Sequence, residues 1–97
     1  MKPVHVTARF RVKPGQVDAA ISILAELVEH SRNEDGCIAY GYYRQTDDAE
    51  ALTSIETWKT PEAEAAHIDT DFLEDAVSRL RPLLDGKPDV KRYRQVL

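Results

Sequence analysis

The feature that most constrains this chain is how its hydrophobic period changes along its length. Val4, Val6, Ala8, Phe10 and Val12 alternate with His5, Thr7, Arg9 and Arg11. A period of two gives a strand one apolar and one polar face. Pro14-Gly15 stops it. The apolar spacing then changes to steps of three and four at Val17, Ala20, Ile21, Leu24, Leu27 and Val28, which is one helical stripe. Asp18 lies early on this helix and His30 and Arg32 late, the order that the helix dipole favours. Asn33 and Gly36 end it.

The Tyr- and Ile-rich run Cys37–Gln45 predicts a second strand, with Gly41 suggesting a bulge or a close backbone approach. Residues 46–50 form a polar connection of hairpin size, and Leu52–Trp58 predicts a third strand with two mixed faces. Thr60 is placed as an N-cap, with Pro61 at the first helical position and Glu62 and Glu64 in the first turn. Helical spacing runs through Ala63, Ala66 and His67 and resumes from Phe72 to Leu84, so Asp69-Thr70-Asp71 divides two helices. Asp85-Gly86-Lys87-Pro88 is a stop, and Val90–Val96 predicts a short last strand.

The order β-α-β-β-α-β is the ferredoxin-like plait, an α+β fold with an antiparallel sheet and helices on one face. Residues 1–97 make a single domain. The sheet face away from the helices needs a cover that this chain cannot supply itself. Sheet-to-sheet pairing of two copies is the economical answer, so a homodimer is expected, with apolar residues from several strands on the paired face.

Charge and cysteine content narrow the classes of function. The formal charge of −4 gives nonspecific binding to nucleic acid or anionic lipid no overall help. Lys87, Lys91, Arg92 and Arg94 are a local exception, read as blunting an edge strand. Cys37 stands alone, which excludes an intrachain disulfide and a cysteine-based metal cluster. The start Met-Lys-Pro-Val-His lacks the apolar stretch of a signal peptide, and no run reaches membrane-spanning length. A cytoplasmic protein is the expectation, with no partnership to membrane or nucleic acid.

Several short motifs in fixed order carry a family likeness. They are Val12-Lys13-Pro14-Gly15, then Ser31-Arg32-Asn33-Glu34-Asp35-Gly36-Cys37, Tyr40, Glu56-Thr57-Trp58, Ala66-His67 and a late Pro82-Leu83-Leu84. With them the chain resembles the antibiotic biosynthesis monooxygenase family of dimeric α+β barrels over nearly its whole length. The resemblance implies a barrel built by two subunits and a pocket between sheet and helices. Activities across that family are mixed: oxygenation of quinols or polyketide aromatics with O₂ and no cofactor, haem degradation, and isomerisation of a phosphorylated sugar derivative. Here the place of the haem degraders' first-strand Asn is held by Ala8, and the only Asn is Asn33, so haem breakdown is not expected. Ser54 replaces an Asn of the polyketide oxygenases, and Asp71 replaces a second His common among relatives.

Cofactor-free oxygenation needs an apolar pocket, a group to take a proton, and donors for the developing oxyanion. The candidate catalytic residues are His67, Glu56 and Tyr40, and the candidate substrate contacts are Trp58, Phe72 and Tyr42. The unperturbed pKa of a histidine side chain suits proton transfer, and the resemblance puts a His at position 67; pinning its helix is the equal alternative. Glu56 and Trp58 alternate on one strand and so share a face. Buried there, Glu56 must be paired or protonated, and it can then bind His67, orient substrate or bond across a dimer. Trp58 reads first as core packing. Tyr40 and Tyr42 share one face of their strand and Tyr43 takes the other. His5, His30 and His67 lie on different elements, so no metal site is expected, and no phosphate loop, zinc spacing or dinucleotide fingerprint occurs. The expected partners are a small electron-rich aromatic molecule and O₂, without a cofactor. An isomerase on the same fold, or a dimeric module that binds a metabolite without chemistry, are the alternatives.

Overall fold

A computed structural model describes residues 2–97. The elements are β1 (Val4–Arg11), α1 (Val17–Arg32), β2 (Cys37–Gln45), β3 (Asp48–Trp58), α2 (Pro61–Ile68), α3 (Asp71–Leu80) and β4 (Asp89–Tyr93). A 3₁₀ turn at Arg81–Leu83 follows α3. The strands form one antiparallel sheet in the order β2-β3-β1-β4, and this is the ferredoxin-like α+β plait.

The period-two pattern of β1 sets what the sheet presents to the helices. Val6 and Phe10 are buried there, and the strand continues to a buried Val12. Pairing then carries this choice across the sheet. Tyr40 lies opposite Glu56, Glu56 opposite Val6, and Val6 opposite Arg92, so these four residues form one row over all four strands. The neighbouring row is Tyr42, Ser54, Ala8 and Val90. Side chains two apart share a face, so both rows point toward the helices with Leu52 and Trp58. Over them lie Ala20, Leu24 and Leu27 of α1 and Ala76 and Leu80 of α3, closing a single apolar core. Burying one large side chain such as Trp58, which has no exposure, contributes on the order of 1.5–3 kcal/mol.

Local signals in the helices hold as the sequence reads. The Thr60 side chain accepts from the Ala63 N–H at 3.0 Å, and Thr70, read in the sequence only as part of a break, caps α3 by accepting from Leu73 N–H at 3.2 Å. A cap replaced by Ala costs about 1 kcal/mol, so each threonine fixes a helix start. The break at residues 69–71 is therefore two capped helices rather than one interrupted helix.

Three expectations change. The third strand begins at Asp48 rather than Leu52, because Arg11 pairs with Asp48 and the hairpin needs only Thr46-Asp47 as its turn. Its inward face is mixed as the sequence reads, with Ser54 and Glu56 buried beside Leu52 and Trp58. The bulges of β2 fall between Cys37 and Ala39 and between Arg44 and Gln45, not at Gly41. Gly36 is the glycine that tight packing requires, because a Cβ there would overlap the Cβ of Ala63 and lie 3.3 Å from its Cα. The last strand is Asp89–Tyr93, and its five residues are all exposed in the single chain.

The sheet face away from the helices is less apolar than its pattern suggests. Ile55, Tyr43 and Tyr93 are about half exposed there, set among Thr7, Arg9, Thr53 and Thr57. No helix among the described residues is long and apolar enough to cross a membrane.

Candidate active site

A cavity of about 610 Å³ opens between the sheet rows and the helices α2 and α3. Its size falls within the usual range for a small-molecule site. The floor is Val6, Ala8, Tyr40, Tyr42 and Glu56, and the roof is His67, Leu73, Val77 and Leu80. Arg81, Lys87, Pro88 and Arg92 line the end near β4.

His67 is buried at 3% exposure. Its Nδ1 lies 2.7 Å from Glu34 Oε2, in the loop between α1 and β2. A carboxylate only accepts, so Nδ1 carries the hydrogen and donates it. That commits Nδ1 to Glu34 and leaves Nε2 as the ring nitrogen with no hydrogen-bond partner among the described residues. One face of the ring rests on Trp58, with centroids 4.5 Å apart, and the edge of Tyr40 approaches with centroids 5.2 Å apart. The ring is held on three sides and open toward the cavity.

Glu56 is buried at 6% exposure and accepts two hydrogen bonds, from Ser54 Oγ at 2.6 Å and from Trp58 Nε1 at 3.0 Å. Ser54 Oγ in turn accepts from Ala8 N–H at 3.0 Å. The serine that stands where polyketide oxygenases carry Asn thus has its hydroxyl committed to the sheet and to Glu56. His67 takes its carboxylate from Glu34, not from Glu56 as the shared-face reading allows.

The hydroxyls of Tyr40 and Tyr42 are 2.9 Å apart. Burial raises the Tyr40 hydroxyl far above the ordinary phenol range, and its neighbour Tyr42 adds to the effect. Burial also pushes Tyr42 up to about 12, against a lowering by the bond to Tyr40. Both stay protonated through the neutral range, and one of the pair retains a hydrogen to donate elsewhere. The site therefore joins one potential base to neutral donors in an apolar setting.

Trp58 and Phe72 sit differently from the tyrosines. Trp58 has no exposed surface and stands behind the cavity wall, supporting His67 and Glu56. Phe72 stacks on His30 of α1, with centroids 4.1 Å apart, away from the cavity lining. Two residues at the cavity escape sequence reasoning. Glu64 is buried at 5% and is gripped by Arg92, whose Nε lies 2.8–2.9 Å from its two oxygens. Glu64 reads as a helix-dipole residue, yet it lies three residues before His67 and so on the same helix face. Arg92 enters only through the β1–β4 register. Among the described residues no three His, Cys, Asp or Glu side chains gather as a metal site.

Comparison with known proteins bears on family and fold. The sequence model of the antibiotic biosynthesis monooxygenase family matches residues 3–79. The chain belongs to that family. Family relatives include the uncharacterized protein sll1783 of Synechocystis, 27% identical over 95% of this chain. The chain spans only 63% of that relative's length. The "Putative monooxygenase YcnE" of Bacillus subtilis is 29% identical over 92% of this chain and 94% of its own. A conserved protein from Methanosarcina mazei is 31% identical, superposes with a TM-score of 0.95, and is covered over 95% of its chain by 99% of this one.

Proposed function

We propose that the protein is a cofactor-independent monooxygenase of quinol-like or other electron-rich aromatic molecules. The observation that carries the reading is His67, which lines an apolar cavity while its Nδ1 is held by Glu34, so that Nε2 is the nitrogen left to act. In this reading Nε2 takes the proton of a phenolic hydroxyl, and the phenolate passes one electron to O₂. The phenoxyl radical and superoxide join at a ring carbon that bears hydrogen, forming a C–O bond. The imidazolium returns its proton to the distal oxygen, giving a hydroperoxide. Loss of water, with the ring hydrogen, leaves the quinone, so phenol and O₂ become quinone and water. The Tyr40–Tyr42 pair donates to the phenolate oxygen, and Glu56 holds Trp58 and Ser54 in place beneath it.

The same reading includes a homodimer paired through the open sheet face around Ile55, Tyr43 and Tyr93. The deciding experiment is oxygen uptake with a panel of hydroquinones and naphthols. A general base contributes about two to four orders of magnitude, so His67→Ala lowers turnover by that much. Loss of melting temperature with turnover per folded molecule unchanged would reduce His67 to a helix pin.

A further inference from the structure

We infer that the cavity accepts aromatic molecules carrying an anionic substituent, which Arg81 and Lys87 receive at the end remote from His67. This rests on the reading of the cavity as a substrate site and adds the class of molecule it selects.

The charges on the cavity wall do not cancel. Five formally charged side chains besides His67 line the cavity: Glu56, Glu64, Arg81, Lys87 and Arg92. Glu56 is satisfied by the neutral donors Ser54 and Trp58, and Glu64 is satisfied by Arg92. That leaves Arg81 and Lys87, neither of which has an ion-pair partner among the described residues. Asp85 lies between them in sequence but not on the cavity wall. In a chain with 17 acidic and 13 basic residues, two unanswered cations on one cavity are a departure from the overall balance. The neighbouring wall is apolar, formed by Val77, Leu80, Leu84 and Pro88.

The backbone that carries the two cations is tied down. Lys13 N–H donates to Leu83 O at 2.8 Å and Asp85 N–H to Arg11 O at 2.9 Å, fixing the segment to the end of β1. Gly86 then turns the chain with φ of 94°, a conformation natural to glycine, and Pro88 stiffens the approach to β4. The two side chains are exposed and long, but they start from fixed points at the cavity's mouth. An aromatic body against Val77, Leu80 and Val6 then places a carboxylate at Arg81 and Lys87 while its opposite edge faces His67 and Tyr40. A planar guanidinium and an ammonium both suit a carboxylate.

The test is a binding experiment that does not depend on turnover. The full chain is titrated with naphthylacetate and with naphthylethanol, its neutral counterpart, by calorimetry at low and high salt. Two partly exposed charge contacts predict roughly tenfold tighter binding of the acid, reduced by salt. In Arg81→Gln/Lys87→Gln the preference disappears while naphthylethanol binds as before, and the melting temperature is unchanged because both side chains are exposed. Equal binding of the two probes to the wild type, absence of binding by either, or a preference that survives the double substitution would each overturn the inference. Oxygen uptake is scored separately. A charge-dependent preference without uptake defeats the monooxygenase reading alone, and uptake without the preference defeats the anion site alone.

Discussion

Replacing Glu56 gives the most direct reading of how the floor of the cavity is held. The carboxylate is nearly inaccessible and takes hydrogen bonds from Trp58 Nε1 and Ser54 Oγ. In Glu56→Ala the Trp58 N–H, on a side chain with no exposure, has lost its acceptor. Stranding a buried donor costs about 1–3 kcal/mol, so two stranded donors cost about 2–6 kcal/mol. Relief from burying a carboxylate offsets part of this, as does water entering beside Ser54. The expected net loss is about 3 kcal/mol. Glu56→Gln keeps one acceptor for the indole, which can only donate. The new amide then faces Ser54 Oγ, which can rotate its hydrogen away and accept, so the expected loss is about 1.5 kcal/mol. Urea unfolding at fixed protein concentration measures both, since association shifts apparent stability. For a chain of this length a loss of about 3 kcal/mol also lowers Tm by roughly 12 °C or more. Glu56→Ala within about 0.5 kcal/mol of wild type, or Glu56→Gln costing more than Glu56→Ala, would refute the reasoning, because surface positions typically stay within that margin.

Single features of the structure lead to three other outcomes. Tyr40 and Tyr42 have folded-state pKa values raised above the unfolded value near 10, so their contribution is complete below pH 10 and is lost as pH rises through and beyond it, toward about 12 for Tyr42. Stability should fall by about 1.4 kcal/mol per pH unit per tyrosine in that window, and an unchanged slope in Tyr42→Phe would contradict this. Gly36→Ala forces the loop off Ala63 and should cost about 1–3 kcal/mol, read as a lower Tm; a wild-type melt would mean that α2 yields freely. Sedimentation should give about twice the 11.0 kDa chain mass, and Ile55→Lys should shift it to monomer; a wild-type monomer at micromolar concentration would defeat the homodimer.

Much of the architecture was legible because it rests on local rules. Period two in Val4–Val12, period 3.6 in Val17–Val28 and the cap at Thr60 each act within a few residues, and the order of elements leaves one plait. The shared faces of Glu56 with Trp58 and of Tyr40 with Tyr42 arise from the same geometry. Tertiary structure alone decided which residues those side chains meet. Glu34 reaches His67 across 33 positions because the α1–β2 loop passes beside α2, where Gly36 permits close approach to Ala63. Arg92 reaches Glu64 across 28 positions because the β1–β4 register brings it into the row with Val6 and Glu56. Trp58 and Phe72 are aromatic residues near His67 in sequence, yet packing buries the first behind the wall and turns the second onto His30. A sequence records periodicity and caps because they are set by neighbours along the chain, whereas the partner of a buried charge is set by register and loop path, which only the folded sheet and its covering helices determine.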